Sequence, residues 1–495
     1  MSEHLFLGLF LLPLLHVMTS LVLRSFFRTQ WITFLASTAL QFLIAISTLY
    51  TLPEHAIRLQ AGAWPLYHAI NLQIDMLSCL LLSVSALVFL GGAFLAHKDI
   101  GIVAKKNRFW TLLSLLQLGV NGAFLTHDIF NLFVFYEVIL ISSFALLIVQ
   151  NKPEQIKATT LYLSLNLVSS FIFLCAVGVL YSSIGNLHFD QIAIRFSEIS
   201  DREQILISSL FFFSFATKAG IFPLYFWLPK AYEQLAPSLG GIFGGLLTKV
   251  GLYSMMRVFP LFYAPGSSFY EWILYLSIAT MLLGVFAAYT RNDLRSILSY
   301  HILSQVGYIA GGFALFGLSE ERAIQQLALA ASIFYMIHHI LVKSALFFSG
   351  SWNQSVFGST QLASHGGLRS LQITLSLLFV IPAMSLAGLP PFSGFWAKLG
   401  VLQVSLEVSE FWYFFAAILA GLFTFFSMLK IWMQSYLGTA PSTPRAISQK
   451  WIYILGIAFL VVPSLWISLL PATLFEWSEQ AAQSLLQSMI SGGRP

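Results

Sequence analysis

Apolar stretches of about twenty residues follow one another along almost the whole of this chain. Each is long enough to cross the hydrocarbon of a bilayer as a helix. Of the 495 residues, 58% are hydrophobic and only 9% are charged, whereas a soluble chain carries about 25% charged residues. No water-soluble fold hides that much apolar surface, so the chain reads as an all-α polytopic membrane protein. Fourteen spans are expected, near 4–23, 31–51, 73–97, 109–126, 129–150, 158–184, 204–225, 239–259, 270–289, 297–316, 323–350, 370–400, 409–436 and 451–474. The stretches 204–225 and 370–400 are interrupted by Gly and Pro and read as broken helices. After Leu474, the residues Trp477, Ala481, Leu485 and Met489 fall on one face, as in a helix lying along the outer surface. The leading charge is Glu3 and many spans follow the first, which argues against a cleaved signal peptide.

Basic residues orient the spans. With the N-terminus outside, the inside loops hold fourteen Lys and Arg and the outside loops five. That bias is the positive-inside pattern, and it needs an even number of spans with both termini outside. The net charge of +5 comes from scattered residues and forms no nucleic-acid-binding run. Cys79 and Cys175 lie in apolar stretches and read as core residues, without disulfide or metal spacing. No ligand spacing for haem or zinc, phosphate-binding loop or catalytic triad is apparent, so neither cofactor, metal nor enzymatic centre is expected.

Four lysines occupy positions where an apolar side chain is the rule: Lys218, Lys249, Lys343 and Lys398. Glu137 is the acidic residue nearest the centre of a span, in Phe135-Tyr136-Glu137-Val138. A charge at membrane depth costs at least about 2.5–3.5 kcal/mol on insertion scales, so five of them imply a use. Glu137 and Lys218 are the preferred ion pair, able to open and close; a permanent pair tying two helices is the alternative. Lys249 follows Gly244-Gly245, small residues that allow close packing. His339 and Lys343 are four apart and share a helix face, where histidine can relay protons; His338 and Tyr335 either join them or simply pack. Lys398 is near the end of its span, where snorkelling competes with a buried role; for Arg257 and Lys430 snorkelling is the better reading. Together Glu137, Lys218, Lys249, His339, Lys343 and Lys398 form a row of titratable groups at mid-depth, which is the makeup of a proton path.

The chain also resembles itself. Ala219-Gly220-Ile221-Phe222-Pro223, with Phe226-Trp227 and Lys230, matches Ala387-Gly388-Leu389-Pro390-Pro391, with Phe395-Trp396 and Lys398, at an offset of 387 − 219 = 168. The copies lie five spans apart and so run in opposite directions, as in the inverted repeats of transporters. The expected organisation is 1–108 for helices 1–3, 109–259 for a first five-helix repeat, 270–436 for its inverted copy, and 451–495 for helix 14 and the outer segment.

These residues, in this order, resemble the antiporter-like proton-translocating family of complex I and Mrp cation/proton antiporters. The marks are Tyr136-Glu137, Ala216-Thr217-Lys218-Ala219-Gly220, Leu247-Thr248-Lys249-Val250-Gly251, Asn292-Asp293-Leu294-Arg295 with Ser304-Gln305-Val306-Gly307-Tyr308, His338-His339 with Lys343, and Gly388-Leu389-Pro390-Pro391 through Lys398. Tyr335 and Leu228-Pro229-Lys230-Ala231-Tyr232 favour the D subunits of Mrp antiporters over complex I relatives, which tend to carry histidines there. The resemblance implies Glu137 and Lys218 as a gating pair, Lys249, His339 and Lys343 as a central relay, and Lys398 as the terminal site. It implies proton uptake against sodium export in a bacterial cell membrane, with subunits A, B, C, E, F and G as partners. A proton-pumping subunit of complex I or of a membrane-bound hydrogenase is the alternative.

Overall fold

The computed structural model describes residues 5–52, 56–61, 70–100, 108–439, 445, 447 and 449–490. Its helices are α1 (Gly8–Val22), α2 (Phe27–Thr51), α3 (Met76–Asp99), α4 (Phe109–Leu125), α5 (Ile129–Leu147), α6 (Pro153–Ile184), α7 (Phe189–Arg195), α8 (Asp201–Ala219) and α9 (Trp227–Glu233). Then come α10 (Pro237–Phe262), α11 (Ser268–Thr290), α12 (Leu294–Phe316), α13 (Arg322–Phe357), α14 (Ile373–Ala387), α15 (Ser393–Glu407), α16 (Phe411–Leu437), α17 (Lys450–Leu469) and α18 (Pro471–Ile490). Among the described residues ten helices are long and apolar enough to cross a membrane: α1, α2, α3, α5, α6, α10, α11, α13, α16 and α17. The shorter α4 and α14 are also apolar. The all-α expectation needs one amendment, an antiparallel hairpin of β1 (Ile57–Ala61) and β2 (Ile70–Ile74) with Ile57 opposite Ile74.

Burial sorts the helices into a centre and a rim. Nearly every residue of the most apolar stretches of α3, α10 and α13 is buried, against half or fewer in the other candidate spans. The rim helices turn Leu, Ile and Phe outward, among them Leu43, Phe171 and Trp412, the surface that lipid covers. Glycines bring the centre together. A Cβ on Gly241 would meet the Phe348 ring at 2.3 Å, and one on Gly245 the Ser344 Oγ at 2.1 Å. Only hydrogen in place of a side chain lets α10 lie this close to α13. The Gly-Gly pair therefore serves close packing, as its composition suggests.

Both Gly-Pro interruptions break their helices. α8 stops at Gly220 (φ +79°), whose N–H donates to the carbonyls of Ala216 and Thr217; α14 stops at Gly388 (φ +87°), whose N–H donates to those of Met384 and Ser385. A left-handed residue at this place is the usual role of glycine. Phe222-Pro223 and Pro390-Pro391 are both cis. Beyond the breaks the two segments differ: Lys230 is exposed and Lys398 is buried.

Loops from three connections meet on one face. The N–H of His127 donates to Asn71 of the hairpin at 3.1 Å, that of Ile129 to Leu187 at 3.0 Å, and that of Phe189 to His127 at 3.3 Å. Asp75 begins α3 and Asp128 begins α5, each accepting from a backbone N–H three residues on. α18 is helical as expected, and it buries Leu474, Ser478, Ala481, Ala482, Leu485 and Leu486. Phe475 at its start stacks on Phe334 of α13, so this helix is docked on the bundle. Cys79 is buried, but Cys175 is exposed on the rim rather than in the core. Lys105, Lys106 and Arg494 of the charge count lie outside the described residues, as does the side chain of Met489.

Candidate functional site

Lys249 sits one turn beyond a wide, π-type turn formed by Phe243–Leu247 in α10. Such a turn leaves a carbonyl without its helical partner. The amine of Lys249, fully buried, donates to the Gly244 carbonyl at 2.9 Å. Lys343 and His339 face it from α13, also fully buried. The Lys343 amine and both ring nitrogens of His339 have no hydrogen-bond partner among the described residues. His339 lies within electrostatic reach of Lys249, Lys343, His338 and His301, and Lys343 within reach of Lys249. Buried polar atoms left open in this number are the sites that ordered water fills.

His301 of α12 was not anticipated from the sequence. It is fully buried, both its nitrogens are unpartnered, and it lies within electrostatic reach of Lys343 and Lys398. The only sequence signal was a histidine inside an apolar span, since it has no lysine a turn away. Next to it Tyr335 donates to Gln305 Oε1 at 2.6 Å and stacks on Tyr308. His338 shares a 2.9 Å hydrogen bond with Ser393 at the start of α15. His338, His301 and Tyr335 therefore fill the interval between His339 and Lys398.

Lys398 does not snorkel. It reaches back across the break, and its buried amine donates to the Leu386 carbonyl at 3.1 Å and the Ala387 carbonyl at 2.7 Å. These are the last carbonyls of α14, where the helix dipole favours a cation. In the first break Trp227 Nε1 takes the corresponding role, donating to Thr217 at 3.0 Å.

Glu137 and Lys218 are not in direct contact. The half-buried Lys218 donates to Ser170 Oγ at 3.4 Å and lies over the Tyr136 ring at 5.7 Å. Glu137 acts on it only through space, and Glu137 Oε1 has no hydrogen-bond partner. The expected ion pair is thus open in this structure. A small cavity of about 20 Å³ adjoins Lys218, with Tyr136, Asn166, Leu247 and Val250 among its walls. Tyr136 donates to Ser254 of α10 at 2.8 Å.

The snorkelling expected of Arg257 is overturned. Arg257 is buried and pairs with Asp75 at 2.5 Å, with further donations to Tyr253 at 3.1 Å and Ser78 at 3.3 Å. The paired carboxylate offsets the cost of desolvating the guanidinium. Lys430, by contrast, lies at the rim with its amine on the carbonyls of Tyr289 and Arg291.

The model of the family described as NADH:quinone oxidoreductase/Mrp antiporter, TM, matches residues 126–424. The chain belongs to this family. The matched region contains all six residues expected to form the row. The chain is 35% identical over 435 residues to the D subunit of the Na(+)/H(+) antiporter of Alkalihalophilus pseudofirmus, covering 87% of each protein. It is 31% identical over 449 residues to the protein of the same name from Bacillus subtilis, covering 90% of this chain and 88% of the relative. Among solved structures it superposes on a chain of the Mrp complex from a Dietzia species with a TM-score of 0.91 and 29% identity. That likeness covers 99% of this chain and all of the other. The likeness to antiporter subunits thus extends along nearly the whole chain.

Proposed function

We propose that this chain is the proton-translocating subunit of a multisubunit Na+/H+ antiporter in the bacterial cell membrane. One observation carries the reading: Lys249 is buried together with Lys343, His339 and His301, whose amine and ring nitrogens have no hydrogen-bond partner among the described residues. Ions are not placed in oil without partners unless water and protons reach them. Protons enter the row at Glu137 and Lys218, pass Lys249, Lys343 and His339, and leave at Lys398 by way of His301, His338 and Tyr335. The subunit is a transporter component rather than an enzyme, and needs no cofactor.

Fourteen membrane helices complete this reading. They are the ten long apolar helices, the shorter α4 and α14 (continued by α15), and the more polar α8 and α12. The matched glycine stops at Gly220 and Gly388 support two inverted five-helix repeats, with the N-terminal helices and α17 outside them. The bias of Lys and Arg supports an outer position for both termini. The partners are the remaining antiporter subunits A, B, C, E, F and G, and the exchanged ions are H+ and Na+.

Sodium-driven proton movement in vesicles carrying the whole assembly tests the reading. Lys218→Ala and Glu137→Gln are expected to abolish exchange while the assembly still purifies intact. Full exchange in the Lys218→Ala assembly would defeat the mechanism.

A further inference from the structure

Away from the buried row, the face capped by the hairpin brings together His127, His188, Asp190 and Arg58. They come from three connections: α4–α5, α6–α7 with the start of α7, and the hairpin. His127 Nε2 is 3.0 Å from Asp190 Oδ1, and His188 Nδ1 is 3.7 Å from Asp190 Oδ2. The ligating atoms of the two histidines and the aspartate all lie within 4.8 Å of one another. Ligands bound at about 2.0–2.1 Å in a tetrahedron stand roughly 3.3–3.4 Å apart; the two histidines approach different oxygens of the Asp190 carboxylate at distances on either side of that value, so a small turn of the carboxylate brings one oxygen to both. The imidazole rings are 4.9 Å apart and inclined at 76°, so neither blocks the space in front of the carboxylate.

We propose that His127, His188 and Asp190 form a binding site for a first-row divalent cation of the zinc class. Two imidazole nitrogens and one carboxylate oxygen are a donor set that such an ion accepts, with water in the remaining position. The Asp190 N–H donates to His188 Nδ1 at 3.4 Å, so the lone pair of that nitrogen turns to the ion when this long hydrogen bond is given up.

The place of the cation is now taken by a side chain. Arg58 lies 2.5 Å from Asp190 Oδ2 and 3.1 Å from Oδ1. Arg58 also donates through Nε to Gln73 Oε1 at 2.8 Å, so an ion must displace its two bonds to Asp190, while its 41% exposed side chain leaves the guanidinium access to solvent. His127 moves its ring proton to Nδ1 as Nε2 takes the ion. Backbone strain is not required, because the three segments are already hydrogen-bonded to one another. The bound ion would clamp the start of α5, ten positions before Glu137, to the α6–α7 connection.

Titration of the purified whole assembly with Zn2+ measures the site directly and does not depend on whether the chain moves protons. His188→Gln and Asp190→Asn are each expected to weaken binding by roughly ten- to hundredfold. Arg58→Ala is expected to tighten it, an outcome that misfolding cannot imitate. Co2+ added to the unaltered assembly should give the intense visible absorption of a four- or five-coordinate ion, with imidazole in its X-ray absorption shell. Unchanged affinity in all three variants overturns the proposal. So does a Co2+ ion with the weak spectrum of the hydrated metal and no imidazole.

Discussion

Lys249 and Lys343 differ in what holds their amines. The first rests on the carbonyl that the wide turn at Gly244 sets free, and the second has no hydrogen-bond partner among the described residues. If both amines pass protons on, a side chain that keeps its charge permanently must fail. Lys249→Arg is therefore expected to stop exchange as completely as Lys249→Ala, because a guanidinium does not release its proton. Exchange in the arginine variant near the unaltered rate would reduce Lys249 to a structural ion. His301→Ala is expected to slow exchange by about 10²-fold or more, the scale of losing a positioned proton carrier, with no loss of assembled complex. Arg257 is a residue of another kind. Its removal leaves Asp75 buried and unpaired, which costs about 3–5 kcal/mol. Arg257→Met is expected to lower the thermal midpoint of the assembly, and adding Asp75→Leu to recover part of the loss. Recovery of stability together with exchange would place this pair outside the proton path.

At the scale of elements, function depends on where two helices stop and how closely two others approach. A side chain on Gly388 must adopt a φ of +87° and would meet Lys398 Cδ at 2.6 Å. Gly388→Ala is expected to cost about 1–2 kcal/mol for the left-handed backbone and to displace the amine from the end of α14. Exchange should fall further than stability does, as vesicle assays and melting curves on the same preparation will show. The capping loops respond to pH. The folded pKa of His188 lies near 4, below the ordinary 6.5. A group depressed in this direction contributes fully above the unfolded value, and its contribution is lost as pH falls from 6.5 towards 4. Protection factors of the β1 and β2 amides, measured against the intrinsic exchange rate at each pH, are expected to fall over that window, and to fall less in His188→Gln. Protection factors unchanged across the window would mean that the capping loops do not sense His188.

On the proposed reading, one row couples the two halves of the molecule. A series path fails wherever it is cut, so Lys218→Ala, Lys249→Ala, Lys343→Ala and Lys398→Ala should each reduce exchange to a similar residual level. Pairs of these changes are expected to do no more than one, the non-additivity of residues that act as a unit. Distinct, additive partial losses would point to parallel paths instead.

Much of this was legible in the chain before any fold was seen. The spans, both helix breaks and the five charges in oil follow from composition and spacing, because a bilayer penalises each charge and each broken backbone locally. His301 was hidden because its neighbours come from other helices, and a sequence shows only the partners a turn away. Arg257 was misread for the same reason: Asp75, its counter-ion, is 182 positions distant. The open state of Glu137 and Lys218, and the meeting of His127 with His188 and Asp190, were decided by packing alone. What one residue costs in a membrane is a property of that residue and its span. Which charges meet is a property of how helices cross, and only the tertiary structure decides it.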